Sequence, residues 1–423
     1  MREPGIRETA LEEPASVLAS RRVLPLLLFL FVGSGCAALI YEIVWFQLLE
    51  LVIGSSTISL GILLGTFMGG MCLGSLLFPR FISRAHHPLR VYASMELGIG
   101  LIGLAIFFGM PLVGGAYTAW AGSGFFGMLF RGIVAGVCLL PPTLLMGATL
   151  PAISRWVETT PRGVSWLGYF YGGNIAGAVI GSLLAGFYLL RVHDSAFATF
   201  VAVVINVVVA LAGLGIAKAT SYTPSGSGID ATLRVAGAWT IYVTIAISGM
   251  TALAAEVIWT RLLSLLFGAT VYAFSLILAV FLLGLGIGSA LGSALAHQMK
   301  QPRVALGWCQ ILLCAAIAWT AYMLTQSLPF WPIDPSISAE PWFNLQLDLV
   351  RSLWAVLPGA ILWGASFPLA LGALASPGQD PARLVGGVYA ANTVGAIVGS
   401  LGASLLLVAW IGSQHSQQLL IIL

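Results

Sequence analysis

Three kinds of polar side chain stand inside long apolar runs and recur as pairs along the chain: Glu42 with Glu256, Asn174 with Asn392, and Tyr171 with Tyr389. A carboxylate so placed offers its charge to a cation or to an arginine. A carboxamide or a phenol offers hydrogen bonds to a neighbouring helix or to a bound solute. Glu96 and Gln310 form a fourth pair, one member ionisable and the other neutral. An ionisable residue within a membrane helix is a functional candidate, because a charge left in hydrocarbon costs about 3 kcal/mol or more. Metal chemistry has no such footing. His86, His87, His193, His297 and His415 are scattered without ligand spacing, and Cys36, Cys72, Cys138, Cys309 and Cys314 sit singly in apolar runs. No metal, no cofactor and no disulfide framework is expected.

The elements that must carry these residues are membrane helices. Of 423 residues 59% are hydrophobic and 8% charged, against about 25% charged in a soluble domain. Eight of the 33 charges fall in the first 22 residues, and the mean hydropathy is +0.99. Repeated apolar runs of about 20 residues point to an all-α polytopic membrane protein whose first partner is the lipid bilayer. Soluble enzymes and secreted disulfide scaffolds are excluded, and a net charge of +3 is too small to suggest nucleic acid. The first apolar run is too long for a cleaved signal peptide.

The pattern predicts a polar tail over 1–22 and six helices within 23–217, near 24–53, 56–78, 88–113, 124–150, 165–190 and 196–217. A polar linker follows over 218–236. Six more helices lie within 237–423, near 237–264, 269–296, 303–326, 346–373, 384–410 and 413–423. Residues 327–345, with Pro329, Pro332, Pro335 and Pro341, read as a membrane-surface loop. Fourteen of the 18 Lys and Arg residues fall on one side of this topology. The positive-inside rule then places the N-terminus in the cytoplasm of a multi-pass protein of the cell (inner) membrane.

The halves repeat each other. Ser34-Gly35 leads to Glu42, Trp45, Gly70 and Gly74; Ser248-Gly249 leads to Glu256, Trp259, Gly284 and Gly288, at a constant offset of 214. Gly147-Ala148-Thr149-Leu150-Pro151 matches Gly364-Ala365-Ser366-Phe367-Pro368. Tyr171, Asn174, Gly177 and Gly181 match Tyr389, Asn392, Gly395 and Gly399. Six helices per repeat is an even number, so the repeats are parallel, as in major facilitator halves, and sites in such folds lie at the repeat interface. By the same register the twelfth helix is truncated to about 11 residues, roughly 16 Å, which predicts that the chain is the front part of a longer protein. The matched pairs Gly70/Gly74, Gly177/Gly181, Gly284/Gly288 and Gly395/Gly399 have GxxxG spacing and read as helix-packing positions.

These motifs resemble the fused major facilitator/spermidine synthase proteins: S-G-x-x-A-L-x-x-E-x-x-W at Ser34–Trp45, F-x-x-G-x-x-x-G-S at Phe67–Ser75, G-A-T-x-P at Gly147–Pro151 and N-x-x-G-A-x-x-G-S at Asn174–Ser182. The likeness covers about 24–423. It implies a major facilitator-like fold and a soluble C-terminal aminopropyltransferase-like domain. This sequence stops before such a domain, so no catalytic residue is carried over. It also implies that helices 1, 4, 7 and 10 line a central cavity, and with that the outer ion pairs Glu42–Arg131 and Glu256–Arg351.

Counting along the helices puts Glu42 and Glu256 about 30 Å from the basic residues at their helix starts, near the outer boundary, and Asn174 and Asn392 near the midplane. Glu96, Tyr171, Asn174, Gln310, Tyr389 and Asn392 form the expected substrate-binding set, with hydrogen bonding between helices as the alternative role. For Glu42 and Glu256 the choices are structural pairing, cation binding and lipid headgroup contact. Three functions compete: a transporter-like module for a small cationic solute such as a polyamine, a membrane anchor for an enzyme domain beyond the chain, and a structural or lipid-handling scaffold.

Overall fold

A computed structural model describes residues 15–54, 57–120, 124–156, 161–220, 222, 237–268, 271–331, 340–376 and 379–423. Among them there is no strand. The first half contains α1 (Ala15–Ile53), α2 (Thr57–Phe81), α3 (Pro88–Trp120), α4 (Gly124–Ser154), α5 (Pro161–Leu184, carried on to Val192 through a π turn) and α6 (Ser195–Ala219). The second contains α7 (Ala238–Phe267), α8 (Val271–Gln298), α9 (Pro302–Tyr322, carried on to Phe330), α10 (Pro341–Leu374), α11 (Pro381–Gly402, carried on to Trp410) and α12 (Gly412–Ile422). Among the described residues eleven helices are long and apolar enough to cross a membrane. With 11 residues, about 16 Å of helix, α12 is not one of them.

Five helices open on proline, α3, α5, α9, α10 and α11. The first position of a helix has no intrahelical use for its N–H, and proline has none to lose. The π turns Ala185–Leu189 and Ala403–Leu407 occupy equivalent places in α5 and α11, a piece of the repeat that residue identities alone do not display. Three boundaries differ most from the sequence reading. Residues 15–22, read as polar tail, extend α1; α3 runs through Pro111 to Trp120; and α10 starts at Pro341, inside the expected loop. Propensity and charge suggest helix ends earlier than the continuous backbone hydrogen bonding that a membrane demands. Most of the expected linker (221 and 223–236) and the middle of the loop (332–339) lie outside the described residues.

Packing follows the repeat. In the first half α1 packs on α5 and α6, α2 on α4, and α3 on α4 and α6; α7 through α12 pair in the same way. The halves meet where α2 lies against α11 and α5 against α8. Each of the eight GxxxG glycines sits in a close crossing. A Cβ at Gly70 or Gly74 would overlap Thr143 or Leu144 on α4; one at Gly177 or Gly181 would overlap Val32 or Cys36 on α1. In the second half Gly284 and Gly288 face Ala360 and Ile361 on α10, and Gly395 and Gly399 face Ala246 and Met250 on α7. Backbone-on-backbone approach of this kind is how membrane helices associate without a hydrophobic drive between them.

A methyl group added at Gly177 or Gly395 has no space and should lower stability by about 1–3 kcal/mol. Gly215 on α6 has nothing within 4 Å of such a methyl, and Gly215→Ala should be neutral or better. Thermal unfolding of the purified variants in detergent checks this: G177A and G395A melt lower than the parent, and G215A does not.

Candidate functional site: a cavity between the halves

A cavity of about 310 Å³ lies between the two halves. One face of α1, Phe31, Ser34, Ala38, Leu39 and Glu42, lines it at helical spacing; from α7 the repeat mates Ser248, Ala252, Leu253 and Glu256 line it together with Gly249. α5 supplies Tyr171 and Asn174, and α11 supplies Tyr389 and Asn392. Phe31 to Glu42 spans about 16 Å of helix, so the cavity is elongated along the bundle. Glu42 and Glu256 stand at the end away from the side on which α1 begins, here termed the N-terminal side. Toward the N-terminal side an aromatic floor forms: Phe367 lies 4.4 Å from the ring centre of Tyr171 and 6.3 Å from that of Tyr389. Trp363 closes one wall, its indole N–H donating to Thr251 Oγ1 at 3.1 Å.

Of the expected binding set, the structure brings Tyr171, Asn174, Tyr389 and Asn392 together around this space. The carboxamides of Asn174 and Asn392 pack against Gly35 and Gly249, where a Cβ would overlap them. Among the described residues neither has a hydrogen-bond partner, and both residues line the cavity. Glu96 and Gln310 are not part of the lining. Glu96 is buried between α3, α1 and α6, where Ser34 Oγ donates to it at 2.6 Å and Asn206 Nδ2 donates to its other oxygen. Gln310 Nε2 donates to Ser366 Oγ at 2.9 Å within the second half. Axial counting gives depth but not the direction a side chain faces, and these two face into their own bundles.

The expected outer ion pairs are not formed. Arg131 Nε donates to Tyr117 on α3 at 3.2 Å, and Arg351 bridges to Asp348 on its own helix at 3.6 Å. Glu42 and Glu256 have no cationic partner among the described residues. The reason is geometric. The cavity-lining residues of α4 are Met146, Gly147, Thr149 and Leu150, and Arg131 lies 15 residues, about 22 Å of helix, further out. Rotation of α1 turns Glu42 into the cavity instead.

On the N-terminal side three charged residues tie the halves together. Arg84 after α2 pairs with Asp380 at 3.0 Å, and Arg155 at the end of α4 approaches the same carboxylate at 4.0 Å. Asp380 also caps α11, accepting from the Ala382 N–H at 3.2 Å. Arg155 further donates to the Ile82 carbonyl at 2.8 Å and lies over the Phe78 ring. Sequence reasoning passed over Asp380. Its one signal was an aspartate directly before a helix-opening proline, a capping signature that does not announce an ion pair. Below this network Ser75 hydrogen-bonds to Gly386 and Ser289 to Gly168, so small residues seal both seams.

Beside the network His87 packs on Trp156 and Tyr222, and its Nε2 meets the Thr220 carbonyl at 3.3 Å. Burial holds the His87 imidazole below its ordinary value; Thr220 opposes this, and Arg90 adds to it.

No family model matches the chain, and no curated protein matches it. Solved structures do. The chain is similar to the major facilitator superfamily transporter FucP in its outward conformation, at 14% identity and a TM-score of 0.59, over 96% of this chain and 97% of that one. It is similar to a bacterial homologue of the iron transporter ferroportin in an outward-facing state, at 13% identity and a TM-score of 0.59, over 95% and 98%. The proton:xylose symporter XylE matches at 13% identity and a TM-score of 0.56, over 96% and 93%.

Two outcomes follow from the N-terminal side. Asp380→Asn leaves two arginines, Arg155 nearly buried, without their anion, a loss of about 3–5 kcal/mol for a buried pair. In a chain whose only cysteine is Cys72, which is buried at the α2–α11 seam, the substitution should raise maleimide labelling by tenfold or more, since about 1.4 kcal/mol is a factor of ten. For His87, a folded-state value below the unfolded one, about 6.5, means that docking is intact above that pH and weakens as pH falls below it. Protection of the Thr220 and Tyr222 amides, taken relative to their intrinsic exchange at each pH, should therefore fall on acidification, and His87→Phe should remove that dependence. The described helices form a membrane-type bundle with the major facilitator fold.

Proposed function

We propose that the chain is a transporter that carries a small organic cation, of the di- or polyamine class, through the central cavity. The observation that carries this reading is the pair Glu42 and Glu256, two carboxylates from repeat-related helices that line one cavity and have no protein cation to neutralise them among the described residues. A primary ammonium supplies the missing charge and three donors. The rings of Tyr171, Phe367, Tyr389 and Trp363 suit an alkyl chain and attract a second cation through their faces. Asn174 and Asn392 provide neutral acceptors. The likeness to the fused major facilitator/spermidine synthase proteins points to the same substrate class.

The two repeats, 23–217 and 237–423 joined by 218–236, would rock about the cavity as two bodies, as parallel-repeat transporters do. Fourteen basic residues on the N-terminal side support a cytoplasmic N-terminus in the inner membrane, and the Arg84–Asp380–Arg155 network would then be the cytoplasmic closure. A second reading, an anchor for an aminopropyltransferase-like domain, draws on that resemblance alone; an anchor has no use for unneutralised carboxylates in its interior.

Uptake of radiolabelled putrescine and spermidine into proteoliposomes tests the reading. The parent chain should accumulate at least one of them. Glu42→Gln and Glu256→Gln should each reduce uptake about tenfold or more, because a charge-assisted hydrogen bond is worth about 1.5–3 kcal/mol. Absence of amine uptake and binding by the parent chain would overturn the proposal and leave the anchor.

A further inference from the structure

Glu96 is fully buried, lies outside the cavity lining and takes no part in the proposed solute site. Both carboxylate oxygens are engaged, one by Ser34 Oγ at 2.6 Å and the other by Asn206 Nδ2. Among the described residues no cation compensates the charge. The groups that act on Glu96 are these two and the Tyr92 phenol from its own helix. From α1 the Tyr41 phenol lies nearby with its hydroxyl buried and unpartnered. Among the described residues no charged group of α4 or α6 acts on it.

The surroundings fit two protonation states. Asn206 donates from its nitrogen, while its Oδ1 is buried with no partner. An acid protonated on the oxygen that faces Ser34 donates back to Ser34 Oγ, while Asn206 Nδ2 keeps its hydrogen bond to the other oxygen. Ser34 is equally ambivalent, because a hydroxyl donates to a carboxylate or turns to donate elsewhere. Ser34 also lines the cavity, so Glu96 is one hydrogen bond from cavity water. The equivalent place in the second half is held by Gln310, which cannot titrate, donating to Ser366.

We propose that Glu96 is a proton-binding site that communicates with the central cavity through Ser34. A hydronium ion in the cavity gives a proton to Ser34 Oγ as the Ser34 hydroxyl proton passes to Glu96. The carboxylate becomes a neutral acid, the hydronium becomes water, and the Ser34 hydroxyl now donates into the cavity. One negative charge beside the cavity is removed and one donor is gained within it. Proton occupancy and solute affinity are thereby linked, and linkage requires the effect to be mutual. The chain binds one such proton because only the first half carries the carboxylate. This inference is independent of which solute enters the cavity.

Infrared difference spectroscopy of the full chain in lipid tests the proposal without any solute. A step from about pH 9 to about pH 5 covers the range in which buried carboxyls titrate. The parent chain should gain a carboxylic-acid carbonyl band from a buried group. That band should vanish in Glu96→Gln and persist in the Glu42→Gln/Glu256→Gln double variant. Ser34→Ala retains Glu96, and its band should rise at least about tenfold more slowly after a rapid pH step. If Glu96→Gln does not fold, the Ser34→Ala kinetics decide. A parent chain without the band, a band that survives Glu96→Gln, or a Ser34→Ala chain that protonates at the parent rate would overturn the proposal.

Discussion

A polar group enclosed by apolar helices must find a partner or reach water, because hydrocarbon offers neither. With only 8% of its residues charged, this chain places few such groups, and the bundle is arranged around them. Asp380 meets the Arg84 and Arg155 side chains and a helix N–H, and in doing so joins the halves on one side. Glu96 takes donors from two neighbouring helices. Glu42, Glu256, Asn174 and Asn392 are met by no protein partner among the described residues, and all four line the cavity. The cavity is where the fold leaves its polar groups unsatisfied, and that is what gives it chemistry.

Helix packing makes the cavity possible. Close crossings at the glycines of α2, α5, α8 and α11 pull each half into a tight unit. Contact between the halves is concentrated at the α2–α11 and α5–α8 seams, leaving space among α1, α4, α7 and α10. The two-fold arrangement is then broken at a few positions. Trp363 stands where the first half has Met146, both lining the cavity, and Gln310 stands where the first half has Glu96. A solute therefore meets two equivalent carboxylates but unlike walls.

Much of this was legible in the sequence. The offset that relates Glu42 to Glu256 and Asn174 to Asn392 revealed the parallel repeats, and even repeats fixed their relative orientation. The spacing of Gly70/Gly74 and its three counterparts marked positions that the structure places at backbone contacts. What stayed hidden was direction around each helix axis. Counting from Arg22 gave Glu42 a depth, yet the turn of α1 that sends it into the cavity depends on packing against α5 and α6. The same gap made Glu96 look like a cavity residue and made Arg131 look like a partner for Glu42. Asp380 escaped notice because a capping aspartate carries no sign of two arginines that approach from the other half.

Glu42 and Glu256 line the cavity between the halves, and Arg84, Arg155 and Asp380 join the halves on the N-terminal side. The most direct measurement places a single cysteine at Glu42, and separately at Glu256, in a chain with its five cysteines replaced by serine, and applies a membrane-impermeant thiol reagent to one face of sealed proteoliposomes at a time. The account predicts modification at both positions from the face opposite the N-terminus, and protection from the N-terminal face while Arg84, Arg155 and Asp380 are intact. Protection from both faces, or faster reaction from the N-terminal face, would contradict it.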